Sequence, residues 1–203
     1  MLFNYEELNK YTTPTLNTKR ASVALDEAVH PSTENFSCVS DVNMEFDIFL
    51  SYSSRDSDII IKLAHMLQRL GHSVYLDRLN DPQLDSTNVT RETAECLRNR
   101  LNHSKALFYA ASISSQQSKW MPWEAGYMDA RNGRVAILPI ADNIISAKRD
   151  IYHGQEYLSL YPYISKEAST NSGKPILWTN ETNEKYCSFS SWLNGAKPIL
   201  HSH

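Results

Sequence analysis

From residue 45 onward, apolar and polar positions fall into blocks with a readable period. Phe46-Asp47-Ile48-Phe49-Leu50 is a short apolar run that ends in Ser51-Tyr52-Ser53-Ser54-Arg55-Asp56. That pattern predicts a buried strand entering a polar loop. Asp56 or Ser57 can cap a following helix. Ile59, Leu63, Leu67 and Leu70 then recur at helical spacing until Gly71 supplies a stop. Ser73 to Asp77 reads as a second strand, followed by a long polar loop from Arg78 to Val89. Thr90 to Asn102 carries Ala94, Leu97 and Leu101 on one helical face, and Ser104 to Ala111 reads as a third strand. A Ser/Gln loop, Ser112 to Ser118, leads to a third helix containing Trp123 to Met128. Arg134 to Ile140 is a fourth strand and Tyr157 to Tyr161 a fifth. Residues 174–178 suggest a further short strand, and Tyr186, Phe189 and Leu193 a terminal helix.

Alternating strands and helices imply an α/β fold with helices on both faces of a parallel sheet. Five strands suit the flavodoxin-like order 2-1-3-4-5, in which ligands bind beyond the carboxyl ends of the strands. The loops after Leu50, Asp77 and Ala111 meet there. They bring Tyr52, Asp77 and the start of the third helix around one crevice. Residues 1–44 are polar and rich in Thr, Ser and Asn, with only Val23 to Val29 hinting at a helix. They form an N-terminal extension, either an arm or a segment packed on the core. The organisation expected is an extension over 1–44, a domain over 45–165 and a C-terminal extension over 166–203 packing on that domain.

Composition narrows the function classes. The 203 residues carry 20 basic and 23 acidic side chains, a formal charge of −3, so nothing draws the chain to nucleic acid or to an anionic membrane. No apolar run reaches the length of a membrane span. The N-terminus lacks the basic start and apolar stretch of a secretory signal. A cytoplasmic location is expected, with Cys38, Cys96 and Cys187 as reduced thiols. They form no CxxC, and the seven histidines form no metal-binding pattern. GxGxxG, GxxxxGK[ST] and GxSxG are absent from the sequence.

The chemistry concentrates in Ser118-Lys119-Trp120-Met121-Pro122-Trp123-Glu124. Pro122 is suited to the first helical position, which would put Glu124 in the first turn, where the helix dipole favours an anion. A fixed anion in a cleft suits a reaction that develops positive charge on a sugar, such as glycoside cleavage through an oxocarbenium ion. Trp120 and Trp123 offer flat faces for a heterocycle. Such a role needs Glu124 to face the loops; a carboxylate in the protein interior, or on a face remote from those loops, would end the enzymatic case as read from these residues. The bland alternative is a capping Glu beside two core tryptophans. Tyr52 and Arg55 suit ring stacking and a phosphate contact, or simply a surface loop. Asp77 suits ribose hydroxyls, or a turn cap. The 78–89 loop is long enough to be a binding loop.

The combination resembles the TIR family. The matching segments are Phe46 to Asp56, Val74-Tyr75-Leu76-Asp77 before a long loop, and Trp120 with Glu124 in the Trp-x-x-x-Glu spacing of NAD-cleaving members. Gly154 to Tyr161 is similar to the bacterial branch that includes the Thoeris anti-phage TIR proteins. The resemblance implies cleavage of the nicotinamide–ribose bond of NAD+, used as a substrate, with no other cofactor. It implies Glu124 as the catalytic carboxylate, and substrate contacts from Trp120, Tyr52, Arg55 and Asp77. The products implied are linear, cyclic or modified ADP-ribose. Partners implied are other copies, through TIR–TIR contacts, and an effector that senses the nucleotide product. A non-catalytic TIR scaffold and a nucleoside deoxyribosyltransferase-like enzyme are the alternatives.

Overall fold

The structure is a computed structural model, and it describes residues 1–10, 45–76, 91–142, 146, 156–169 and 172–201. The suggested helix at Val23 to Val29, the residue Asp77 and the 78–89 loop lie outside the described residues.

The elements run as follows. Strand β1 (Phe3–Asn4) leads directly into helix α1 (Tyr5–Lys10). Strand β2 (Phe46–Ser51), helix α2 (Ser57–Arg69) and strand β3 (Val74–Leu76) form the first crossover unit. Helix α3 (Arg91–Asn102), strand β4 (Ser104–Ala111), helix α4 (Trp120–Asn132) and strand β5 (Val135–Ala141) continue it. Strands β6 (Tyr163–Ala168), β7 (Pro175–Asn180) and β8 (Lys185–Ser188), helix α5 (Phe189–Leu193) and strand β9 (Ile199–Leu200) complete the chain.

The sheet has nine strands in the order β3-β2-β4-β5-β6-β7-β8-β9, with β1 paired to β5. The block β3-β2-β4-β5 is parallel and carries the 2-1-3-4 part of the expected order. The rest differs from a five-stranded parallel sheet. β6 joins β5 in parallel, but β7, β8 and β9 then add in antiparallel fashion. The expected fifth strand also moves. Glu156–Leu160 forms a short 3-10 helix with Leu160 80% exposed, and the strand begins only after Pro162. Those tyrosines and leucines have strand-like composition but lack a buried alternating face, and burial decides strand formation more than composition does.

Side-chain alternation splits the core into two layers. Ile48, Leu50, Phe108, Leu138 and Ile140 pack with α1, α2 and α5 on one face. Phe49, Leu107, Tyr109, Val135 and Ile137 pack with α3 and α4 on the other. The helix expected after Asp56 ends as predicted, with Gly71 at φ +94°, a conformation that costs glycine little. At the amino ends, Asp47 accepts from Ser73 N (3.0 Å) and Lys105 Nζ (2.8 Å), pinning β2 to β3 and β4.

β5 shares its outer edge between two partners. Ile137 N–H donates to the Pro162 carbonyl at 2.8 Å, on the side of β6. Residue 139 faces the same side, because neighbouring residues in a parallel strand bond to opposite sides. It is a proline with no N–H to give. Beyond it, Ile140 and Ala141 pair with Phe3 and Asn4 of β1. The first residues of the chain are thus part of the sheet, with Phe3 and Leu8 fully buried. Cys187 is a free thiol. Among the described residues no helix is long and apolar enough to cross a membrane.

Candidate active site at the carboxyl ends of the strands

Helix α4 sets the position of Glu124. It starts at Trp120, two residues before the expected start at Pro122. A proline fits anywhere in the first turn, because those N–H groups have no intrahelical acceptor. Ser118 Oγ accepts from Met121 N at 3.3 Å and takes up one of them. Glu124 therefore lies in the second turn, on the inward stripe with Met121, Ala125 and Met128. Its side chain is fully buried. That is a correction to the open-cleft, first-turn position expected from sequence. It is also the only charged residue on that stripe, since the other three are apolar.

The depth of Glu124 along the sheet is nonetheless the expected one. Its Oε2 accepts a hydrogen bond from Ser51 Oγ, the last residue of β2, at the carboxyl end of the strand. Further bonds tie the loops above. Arg55 donates to Gln117 Oε1, joining the loop after β2 to the loop after β4. Ser112 Oγ donates to Asp56 Oδ2 at 2.5 Å, joining the same two loops again. Tyr5, the first residue of α1, hydrogen-bonds to Ser112. Burial, together with the Asp56 and Asp142 carboxylates, holds the Tyr5 phenol above its ordinary range.

Trp120 is half-buried and packs on the α3–α4 layer, edge-on to Trp123 at 5.5 Å. Trp123 has structural partners of its own, with Tyr127 stacked on it at 5.9 Å and Arg98 over its ring at 5.7 Å. Trp120 and Glu124 thus share one side of the sheet. Tyr52 packs on the opposite layer, because adjacent strand residues point to opposite faces. Arg55 is exposed above the strand ends. Sequence reasoning missed Ser51, Asp56, Ser112 and Tyr5 as members of this network. The alternation Asp47, Phe49, Ser51 was the available signal for the first of them. A polar hollow of about 300 Å³ beside His103, Lys105, Arg131 and Arg134 lies at the amino ends of the strands, away from this chemistry.

Comparison with known proteins agrees with this frame. The family model described as TIR domain matches residues 48–167. A protein of Bacillus cereus (strain MSX-D12) named "Probable 3' cyclic ADP-D-ribose synthase ThsB'" is 44% identical over 153 residues, covering 75% of this chain and 78% of that protein. A protein of Cytobacillus dafuensis named "Putative cyclic ADP-D-ribose synthase TIR2" is 30% identical over 83 residues, covering 40% of this chain and 22% of that protein.

Proposed function

Because the chain belongs to the TIR domain family, we propose that it cleaves the nicotinamide–ribose bond of NAD+ and releases an ADP-ribose-derived signal in anti-phage defence. The observation that carries this reading is the Trp120–Glu124 spacing inside the segment that matches the TIR domain, with the carboxylate bonded to Ser51 at the carboxyl end of β2. Its full burial counts against an open catalytic cleft. A buried carboxyl group is costly, and a helix selected for stability alone would place an apolar residue there. The cost is understandable if the anion acts on a developing cation.

In this mechanism nicotinamide leaves as a neutral base with the electron pair of the glycosidic bond. The ribose becomes an oxocarbenium ion, and Glu124 stabilises it electrostatically in a site with little water. Ser51 fixes the rotamer of the carboxylate by donating to it. Trp120 supplies a flat wall for the base. Arg55 contacts phosphate and Asp77 holds ribose hydroxyls, while Tyr52, packed on the other face of the sheet, does not share the wall that Trp120 supplies. The name of the Bacillus cereus relative supports cyclisation as the outcome. A hydroxyl of the same molecule then captures the cation and loses its proton to solvent, in place of water. Self-association through TIR–TIR contacts would order the site, and an effector would sense the product.

Incubating the protein with NAD+ and following nicotinamide by chromatography, with mass spectrometry of the other product, tests the reading. Wild type should release nicotinamide with a product lighter than ADP-ribose by one water. Glu124→Gln should lose about a hundred-fold or more in turnover. Equal release by both proteins would remove Glu124 from catalysis, and ADP-ribose alone would make the enzyme a glycohydrolase.

A further inference from the structure

Strands β2 and β4 are neighbours in the sheet, with Ser51 beside Tyr109. The chain leaves them for opposite faces. Helix α2 packs on the layer of Ile48 and Phe108, and α4 on the layer of Phe49 and Tyr109. In an open α/β sheet that divergence is where ligands bind, beyond the carboxyl ends of the strands. Here the place is bridged twice. Asp56 Oδ2 accepts from Ser112 Oγ at 2.5 Å, and Arg55 donates to Gln117 Oε1. Each bond joins the loop after β2 to the loop after β4. At the root of the first loop, Ser51 donates to a Glu124 side chain with no exposure.

Asp56 makes its bond in place of a local one. It occupies the N-cap position of α2, where an aspartate ordinarily accepts from N–H groups of the first turn. Its side chain makes no such bond and reaches across to Ser112 instead. Two places for one carboxylate give the loop two states: tied to Ser112, or withdrawn onto the amino end of α2. The cap gained in the second offsets the bond lost from the first, so the step between them is small. Arg55 has a similar choice. Gln117 offers its guanidinium a neutral amide oxygen, whereas a phosphate offers a charge-assisted pair, about twice as strong.

We propose that the Asp56–Ser112 and Arg55–Gln117 bonds form a clip that holds the site shut in the free protein, and that the diphosphate of the dinucleotide opens it by taking Arg55 from Gln117. This rests on the NAD+ reading given above. Asp56 then turns back to cap α2, the loops part, and the Glu124 carboxylate meets the ribose. A substrate that must first break the clip binds less tightly than the open site allows, by the fraction of molecules that are open. The clip also accounts for the burial of a carboxylate that has to reach a substrate.

The test uses Gln117→Ala and Ser112→Ala, singly and together. Both residues are uncharged, so the field at the diphosphate stays the same. Three quantities are read: the dissociation constant for ADP-ribose, KM and kcat for NAD+, and amide hydrogen exchange along α2 with and without ADP-ribose. Each single variant should bind ADP-ribose about three-fold more tightly, with a matching fall in KM and no loss of kcat, and the double variant about ten-fold. In wild type, ADP-ribose should slow exchange at the Asp58 and Ile59 amides, which an N-cap carboxylate protects. Unchanged or weaker binding in variants that melt cooperatively would overturn the clip and leave the NAD+ reading standing. So would unaltered exchange at those two amides in liganded wild type. If Ser112→Ala does not fold, exposed Gln117→Ala and the wild-type exchange pattern decide. A wild type that neither binds ADP-ribose nor releases nicotinamide would overturn the NAD+ reading and the clip with it.

Discussion

Replacing Glu124 with Gln separates the two readings of this residue, because they predict opposite signs. The side chain is fully buried, and the Ser51 hydroxyl donates to it. An amide of the same shape still accepts from Ser51. It no longer carries the cost of a buried carboxyl group, whether that is met as a desolvated charge or as the work of protonation. That cost is several kcal/mol in protein interiors. Against it stand the loss of a charge-assisted hydrogen bond and two new amide protons in an apolar setting, together about 2–3 kcal/mol. The balance is a gain of about 1–2 kcal/mol. At the size of this chain that raises the melting temperature by about 2–8 °C. Calorimetry or fluorescence melting of both proteins, paired with nicotinamide release, checks it. Glu124→Gln should melt higher and turn over at least about a hundred-fold more slowly. A variant that melts lower and retains turnover would refute the argument, since the carboxylate would then belong to the fold and not to the chemistry.

Ser51→Ala removes a donor from the buried carboxylate and should cost about 1–3 kcal/mol in urea unfolding. The loss should largely vanish when Ser51→Ala is combined with Glu124→Gln. Burial pushes the Asp47 carboxyl up, but bonds from Lys105 and Ser73 outweigh it and hold it below the usual range. Its contribution to stability is therefore complete above about pH 4 and lost as pH falls through the lowered value. Asp47→Asn should flatten the melting temperature against pH in that acidic window. Burial beside Phe189 lowers the pKa of His72, opposed by the Asp47 charge. Its contribution is complete above about pH 6.5 and declines as pH drops below that, so His72→Gln should melt less steeply with acidification between pH 7 and 5. Arg55→Gln should raise KM for NAD+ several-fold with little change in kcat if the guanidinium meets phosphate.

The central layers were legible because they rest on local periodicity. Phe46 to Leu50 and Ser104 to Ala111 are dense enough in buried residues that only a strand between two helical layers accommodates them. Trp120 and Glu124 were legible as a spacing. What escaped was set by contacts distant in sequence. The inward turn of Glu124 follows from a helix start two residues earlier than Pro122 suggests, a shift of about 200° around the axis. The place of β1 follows from Pro139, whose missing donor divides the edge of β5. No window around residues 1–10 contains that information. Tyr157 and Leu160 show the reverse error, in which strand-like composition gives a short 3-10 turn where both side chains stay exposed.

The pairing of Phe3 with Ile140 orders events during synthesis. Residues 1–10 leave the ribosome before β5 does, and their place in the sheet does not exist until β5 has emerged. Closing so long a loop is slow compared with forming the local crossover units. The N-terminal strand is therefore expected to dock last, after β2, β4 and β5 have assembled. A nascent chain stalled before residue 141 therefore lacks the strand against which Phe3 and Asn4 pair.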